Sequence, residues 1–532
     1  MSTRRRSLRR LGGLVGLATL SLSLGLTACS KQDTPTQPAT EADDAGAFKV
    51  LAGSELRDME PALVKAAADA GVKLKLQYAG TLDIVERVNG GEAFDAILPP
   101  NGAYPALALT TRPVASDKLF YSRVALGVKA AKLKALGWDA KAPTWADIAQ
   151  AAGKGQLRYA MTNPTSSNTG MSALFAVASA VAGKTEDLAV SEVKPEVLKA
   201  FLSGQKLTAG SSGWLAEAFV KNPAPLDAMV NYEAVILRAN AQLPQADRLT
   251  LVYPRDGVIS ADYPLMLIKP QQREAYNKLV AAFKAKALQT ELAQSAFVRP
   301  SVADVSLAAG LSSMAVAELS FPNKLDVIDA VLSAYQGEWR APATSIFVLD
   351  ISGSMKGQRL EDMRTALKVL AGADAQTATA RYARFQSREQ VQLIAFSDAV
   401  EPALAVSFDP QGLEAARAEV IRYADALAVK GGTGIYTAMA QAQRMAAEVK
   451  AREPDRLVSI VLLTDGVNTA GDSLADFKAR VPSSQATRVF PILFGEASND
   501  EMTQLAQWTG GRVFDGRKAA LAVVFKEIRG YQ

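Results

Sequence analysis

The sequence predicts an α/β chain made of two successive folded parts. From about residue 340 onward, short apolar strands alternate with stretches of helical spacing. That is the pattern of a mostly parallel sheet covered on both faces. From about residue 48 to residue 300 the same alternation runs longer than one sheet usually needs, so it reads as two α/β lobes.

Ahead of both parts lies a leader. Residues 1–28 begin with Arg4, Arg5, Arg6, Arg9 and Arg10 and continue in an apolar stretch rich in Gly and Ser. A basic start followed by a short apolar segment is a signal peptide pattern rather than a membrane span. It ends in Leu26-Thr27-Ala28-Cys29, which resembles the lipobox of bacterial lipoproteins. The resemblance implies that Cys29 is lipidated, becomes the new N-terminus and holds the protein in the cell envelope on the periplasmic face. Ser30 rather than Asp behind it implies the outer membrane in a Gram-negative host. Cys29 is the only cysteine of the 532 residues. A lone buried thiol is the ordinary account of a single cysteine, but its place behind an apolar leader favours the anchor. Arg5-Arg6-Ser7-Leu8 leaves twin-arginine export open beside the general route. After Cys29, residues 30–47 are rich in Thr, Pro, Asp and Ala and read as a disordered tether.

Composition excludes several function classes. The net charge is +5, the leader holds five arginines and no acid, and the processed chain is therefore neutral. No basic stripe with interleaved aromatics remains, so no nucleic-acid partner is expected. The chain has no histidine. A Ser-His-Asp triad, a Cys-His pair and His-ligated zinc are all ruled out. No carboxylate or lysine pair is placed for catalysis, and binding rather than enzymatic activity is expected.

In the first folded part, residues 48–51, 72–76, 94–98, 124–128 and 157–161 read as strands. The loops that follow are Ala52-Gly53-Ser54, Tyr78-Ala79-Gly80-Thr81 and the run from Thr162 through Asn163-Pro164-Thr165-Ser166-Ser167 to Gly170. Asn231-Tyr232-Glu233 and Tyr253-Pro254-Arg255-Asp256-Gly257 come later. These segments resemble the type II solute-binding proteins of bacterial transport, particularly the molybdate-binding-like group. The resemblance implies a two-lobed, periplasmic-binding-protein-like domain over residues 48–300 that closes on a small molecule, often an oxyanion. Ser54, Gly80, Thr81, Thr165, Ser166, Ser167 and Tyr232 are the candidate ligand-binding residues. Hydroxyls and free backbone N–H groups at a helix start can hold an anion without counter-charge. Each of Ser54, Thr81, Ser166 and Ser167 would also serve as an ordinary helix N-cap. Residues 301–339, with Phe321-Pro322-Asn323 and Gln336-Gly337-Glu338-Trp339, read as a partly ordered connector.

The second part, residues 340–532, carries the sharpest motif. An apolar strand at 345–349 runs into Asp350-Ile351-Ser352-Gly353-Ser354. Thr433 lies in Gly431-Gly432-Thr433-Gly434, and Asp465 follows the apolar strand 457–463. Both Asp residues stand at carboxyl ends of strands, where ligands of open α/β sheets gather. Two carboxylates and three hydroxyls form a hard all-oxygen set suited to Mg²⁺ or Mn²⁺. The competing account makes Ser352, Ser354 and Thr433 helix caps. Helical spacing appears at Leu360, Met363, Leu367 and Leu370, and again from Ile435 to Val449. Further strands read at 391–396 and 489–494.

This part resembles a von Willebrand factor type A domain, a doubly wound, Rossmann-like fold, and the motif matches its metal-ion-dependent adhesion site. The resemblance implies Ser352, Ser354 and Thr433 as direct metal ligands and Asp350 and Asp465 as outer charges. It also implies a protein partner whose carboxylate completes the octahedron. Aspartyl phosphatases also place an Asp after an apolar strand, but they need a second Asp where Ser352 stands. The expectation is a cell-envelope lipoprotein that grips a protein partner through a divalent metal, with a small ligand in the clamshell. The alternative is the substrate-binding receptor of an ABC-type importer with the type A domain as an accessory.

Overall fold

The computed structural model describes residues 46–373, 376–517 and 521–531. The leader, Cys29 and the tether up to residue 45 lie outside them.

Strand β1 (Phe48–Gly53) pairs in parallel with β2 (Leu74–Ala79) and with the short strand Ala96–Leu98. Val50, Leu51 and Ala52 are at most 1% exposed. A strand covered on both faces needs such an unbroken apolar run. Pro264–Leu267 and Ala115–Lys118 complete this five-stranded sheet in antiparallel sense.

In the second sheet β3 (Tyr159–Thr162) lies in parallel between β4 (Gln205–Ala209) and β5 (Ala228–Tyr232). The ten-residue strand Phe120–Lys129 runs antiparallel to β5. Two segments cross between the sheets. Ala115–Lys118 leads into Phe120–Lys129, and Ser260–Ala261 leads back into Pro264–Leu267. These crossing strands pair with each other on both sides, Ser260 with Arg123 and Leu265 with Asp117. The chain therefore builds two lobes joined by a pair of adjacent strands.

Helices α1 (Thr81–Asn89), α2 (Asn168–Ala182) and α3 (Ser212–Lys221) follow β2, β3 and β4 within a few residues. Their N-termini thus gather at the carboxyl ends of the strands. Every residue of α2 from Asn168 to Ser179 is buried, as its composition of small and apolar side chains allows.

A third sheet holds β6 (Ala343–Asp350) and β7 (Leu457–Thr464) side by side at its centre. Its six strands are parallel except for the edge strand Leu404–Ser407. Because alternate strand residues face opposite sides, Phe347, Leu349, Val461 and Leu463 pack toward helices α4 (Gln358–Leu370) and α6 (Leu521–Arg529). Ile346, Val348, Ile460 and Leu462 pack toward α5 (Ile435–Arg452).

The described residues from Gly46 onward make one compact unit, and its packing shows why. The apolar cluster under α4 and α6 continues into the second lobe, taking in Ala209, Trp214, Phe219 and Met229. The connector, expected to be only partly ordered, includes the helix Leu325–Ala334 and the wide turn Tyr335–Trp339. Buried Glu389 receives hydrogen bonds from Arg340 and from Arg529, the latter at 2.6 Å to both oxygens. Burial alone would raise its carboxyl; the charges of Arg529 and Arg340 outweigh it and hold Glu389 below the usual carboxylate range.

Candidate metal centre and interlobe loops

The register that pairs Leu349 with Leu463 sets Asp350 beside Thr464 at the carboxyl ends of the two central strands. Asp350 is fully buried. One of its oxygens accepts from the Ser352 N–H at 2.8 Å and the other from the Thr464 hydroxyl at 2.6 Å. These bonds turn the loop so that the Ser352 and Ser354 hydroxyls stand 3.0 Å apart. Ser354 Oγ bonds Asp465 Oδ1 at 2.7 Å. The Gly353 N–H donates to the Gly431 carbonyl at 3.1 Å, tying this loop to the one that carries Thr433. A side-chain carbon on Gly466 would lie 3.6 Å from both Ser354 Oγ and Thr433 Oγ1. All five expected residues thus meet at one end of the sheet.

The helix-cap account fails here. Ser352 makes no side-chain cap bond, and α4 and α5 start from Gly357 and Gly434. The hydroxyls are therefore not spent on helix backbones. Burial, with Asp465 adding like charge, pushes the Asp350 carboxyl up, and a cation at this position would relieve that cost. Among the described residues no three His, Cys, Asp or Glu side chains cluster for a metal. A cation at this loop depends on hydroxyl oxygens to complete its shell. The donor set fits a hard divalent ion.

Two neighbours escaped the sequence reading. Arg359 Nη1 bonds Asp465 Oδ2 at 2.6 Å and the Ser354 carbonyl at 3.3 Å. Asp398 follows the adjacent strand Gln390–Phe396 and rests on Gly431, where a side-chain carbon would lie 2.3 Å from its Oδ1. The strand-end argument that selects Asp350 and Asp465 would have found Asp398; nothing local marks Arg359.

In the clamshell, Gly80 ends the loop before α1 so close to Ser166 that a side-chain carbon would lie 2.2 Å from the Ser166 carbonyl oxygen. Lobe one therefore touches lobe two at two of the expected residues. Thr165 bonds Asn163 Oδ1 through its N–H at 3.0 Å and its hydroxyl at 2.8 Å, and Gln336 donates to the same hydroxyl at 2.8 Å. Ser166 Oγ bonds the Asn163 carbonyl at 3.3 Å. Tyr232 is buried and accepts from Asn168 Nδ2 at 2.9 Å. Burial and the Glu55 charge hold its phenol far above the usual range. Thr81 is buried with its hydroxyl unpartnered, and Ser54 opens the short turn after β1. Ser167, at the cap position of α2, makes no side-chain cap bond, and the cap position of α1 is Gly80, which has no side chain to make one.

The sequence reading missed Glu55 and the loop Gly210-Ser211-Ser212, and it placed Asn163 and Asn168 in the loop after β3 without counting them among the ligand-binding residues. It also missed what covers them. Gly530 and Tyr531, just past α6, lie against the loops after β3 and β4. Side-chain carbons on Gly530 and Gly210 would lie 2.7 Å from Ser166 Oγ and 2.6 Å from the Tyr531 ring.

Comparison with known proteins finds two family matches in the chain. Residues 48–299 match the family model of a bacterial extracellular solute-binding protein, and residues 346–526 that of a von Willebrand factor type A domain. The inter-alpha-trypsin inhibitor heavy chain H4 of Sus scrofa is 34% identical over 139 residues, 25% of this chain. The match spans only 14% of that protein's length. Solved structures similar to the chain include the ferric binding protein from Campylobacter jejuni (16% identity, 54% of this chain, 97% of that one, TM-score 0.41). A periplasmic thiamin binding protein gives 17% identity over 55% of this chain and 95% of its own, with TM-score 0.44. The periplasmic binding protein AfuA from Actinobacillus pleuropneumoniae, solved with fructose-6-phosphate, gives 12%, 55%, 98% and 0.43.

Proposed function

From a chain that joins an extracellular solute-binding domain at residues 48–299 to a von Willebrand factor type A domain at residues 346–526, we infer an exported binding protein. It grips a protein partner through a divalent metal and carries a small-molecule clamshell behind the grip. The activity proposed is binding, not catalysis. Among the described residues no helix is long and apolar enough to cross a membrane, and the anchor proposed is the lipidated Cys29.

The observation that carries this reading is the facing pair of hydroxyls, Ser352 and Ser354, 3.0 Å apart with Asp465 on Ser354 and no helix N–H using either. Ser352, Ser354 and Thr433 would hold the ion directly, with Asp350 and Asp465 supplying the two compensating charges. Bound Mg²⁺ or Mn²⁺ would supply a Lewis-acidic position for a partner's carboxylate. The protein's own part is orientation. Asp350 is locked by the Ser352 N–H and the Thr464 hydroxyl, so the loop is set before any ion arrives.

The test is capture from envelope extracts with the immobilised full chain, first in Mg²⁺ and then with a chelator. A partner that is retained in Mg²⁺, released by chelator and absent with Asp350→Ala supports the reading. A partner held equally in all three conditions contradicts it.

A further inference from the structure

We propose that the type A domain is a built-in cover over the clamshell, so that a solute and the Gly530-Tyr531 turn just past α6 compete for the loops after β3 and β4. The proposal rests on reading those loops as the solute-binding loops, and the experiment below separates the two ideas.

Three backbone segments meet too closely for side chains. A carbon on Gly530 would lie 2.7 Å from Ser166 Oγ and 2.9 Å from the Gly210 Cα. Asn163 Nδ2 reaches the Arg529 carbonyl at 3.5 Å. Tyr531 is 1% exposed and fills the gap between the domains. Its ring meets Trp214 of α3 edge-on at 4.8 Å and Phe514 of the type A sheet at 5.5 Å. The two loops lie at the carboxyl ends of parallel strands, the end at which open α/β sheets receive ligands.

The same domain holds the other lobe. Glu86 of α1 accepts from the Thr379 N–H at 2.6 Å and from the Thr379 hydroxyl. Lobe two is held again by Lys221 on the Gln507 carbonyl at 2.6 Å and by Arg488 on the Thr208 carbonyl at 3.2 Å. A two-lobed binding domain works by rotating its lobes about the crossing strands. A rigid body fastened to both lobes blocks that rotation. Access to the seam therefore requires that Tyr531 leave its site or that Glu86 release Thr379.

Hydrogen exchange on the full chain tests this, comparing wild type with Tyr531→Ala. Amides of residues 163–170 and 210–214 should exchange at least about tenfold faster in the variant, while those of β6 stay unchanged. Gly530→Leu, which keeps the ring but drives the turn off Ser166, should do the same and covers the case in which the first variant folds poorly. Equal protection of these loops in wild type and Gly530→Leu would overturn the proposal. All three proteins are also screened by thermal shift against molybdate, phosphate, sulfate, amino acids and sugars. A shift confined to the variants supports both ideas. Equal shifts in all proteins overturn the cover but leave the solute site. Faster loops with no shift anywhere keep the cover and remove the solute site.

Discussion

The candidate metal loop and the interlobe seam are built from the same parts and are covered to different degrees. Both are sets of hydroxyl-bearing loops at the carboxyl ends of parallel strands. At the candidate metal loop only Gly353 and Ser354 are exposed, above Asp350, Ser352, Thr433 and Asp465, which are all buried. At the seam Thr81, Ser167 and Tyr232 are all buried, and Gly530 and Tyr531 close over the loop next to them. Strand-end logic thus tells where a ligand site would be built. Whether it is open is decided by contacts as remote in sequence as Asn163 and Arg529, 366 residues apart.

The largest expected effect would break the comparison by detaching the cover. Glu389 balances Arg340 and Arg529 in a buried position. Glu389→Ala would remove the carboxylate that two buried guanidinium groups share, at a cost of about 3–5 kcal/mol. Denaturant unfolding of the full chain should show this loss, and the cover turn that Arg529 anchors should loosen with it.

Next comes the buried acid of the seam. Glu55 is pushed up from 4.5 to about 7, chiefly by burial, against its own backbone N–H and the Arg238 charge. One of its oxygens has no partner. An acid raised on folding favours the native state while protonated, so its contribution is full below about 4.5 and is lost as pH rises toward 7. The cost above pH 7 is about 3 kcal/mol. Glu55→Gln should therefore stabilise the protein at pH 8 and change little at pH 4.5. A thermal melt at the two pH values checks the sign, and a variant that stabilises equally at both would contradict it.

Smaller effects sharpen the metal side. Arg359 is a positive charge on Asp465, so Arg359→Gln should tighten Mg²⁺ binding several-fold, most visibly at low salt. Thr433→Ala should weaken binding by less than loss of a carboxylate does, because water can replace one neutral oxygen.

How much of this could be read in the chain follows the same division. Asp350, Ser352 and Ser354 lie within five residues behind an unbroken apolar strand, so their meeting is a local matter. Thr433 and Asp465 were legible because each follows its own recognisable turn or strand. The strand expected at 124–128 lies in the C-terminal half of the longer Phe120–Lys129, whose ends are set by partners at Arg299–Pro300, Leu249–Val252 and Ser260–Ala261 rather than by its own residues. The helix Leu325–Ala334 lay in what read as a connector; Val327, Ile328, Val331 and Leu332 are buried at helical spacing. Gly530 and Tyr531 carried no signal at all. A glycine and a tyrosine gain meaning only from Ser166, Gly210 and Trp214, which are more than 300 residues away in the chain.

The central claim is that the exposed loop holds a metal, and titration calorimetry of the full chain with Mg²⁺ and with Mn²⁺ tests it most directly. Asp350 and Asp465 are the only formal negative charges in the expected ligand set, so Asp350→Ala removes half of the compensation for a divalent ion. Wild type should bind, and Asp350→Ala should show no measurable heat while keeping the wild-type circular dichroism spectrum. Equal affinity in the two proteins would mean that the loop is not a metal site and that the adhesive function built on it is wrong.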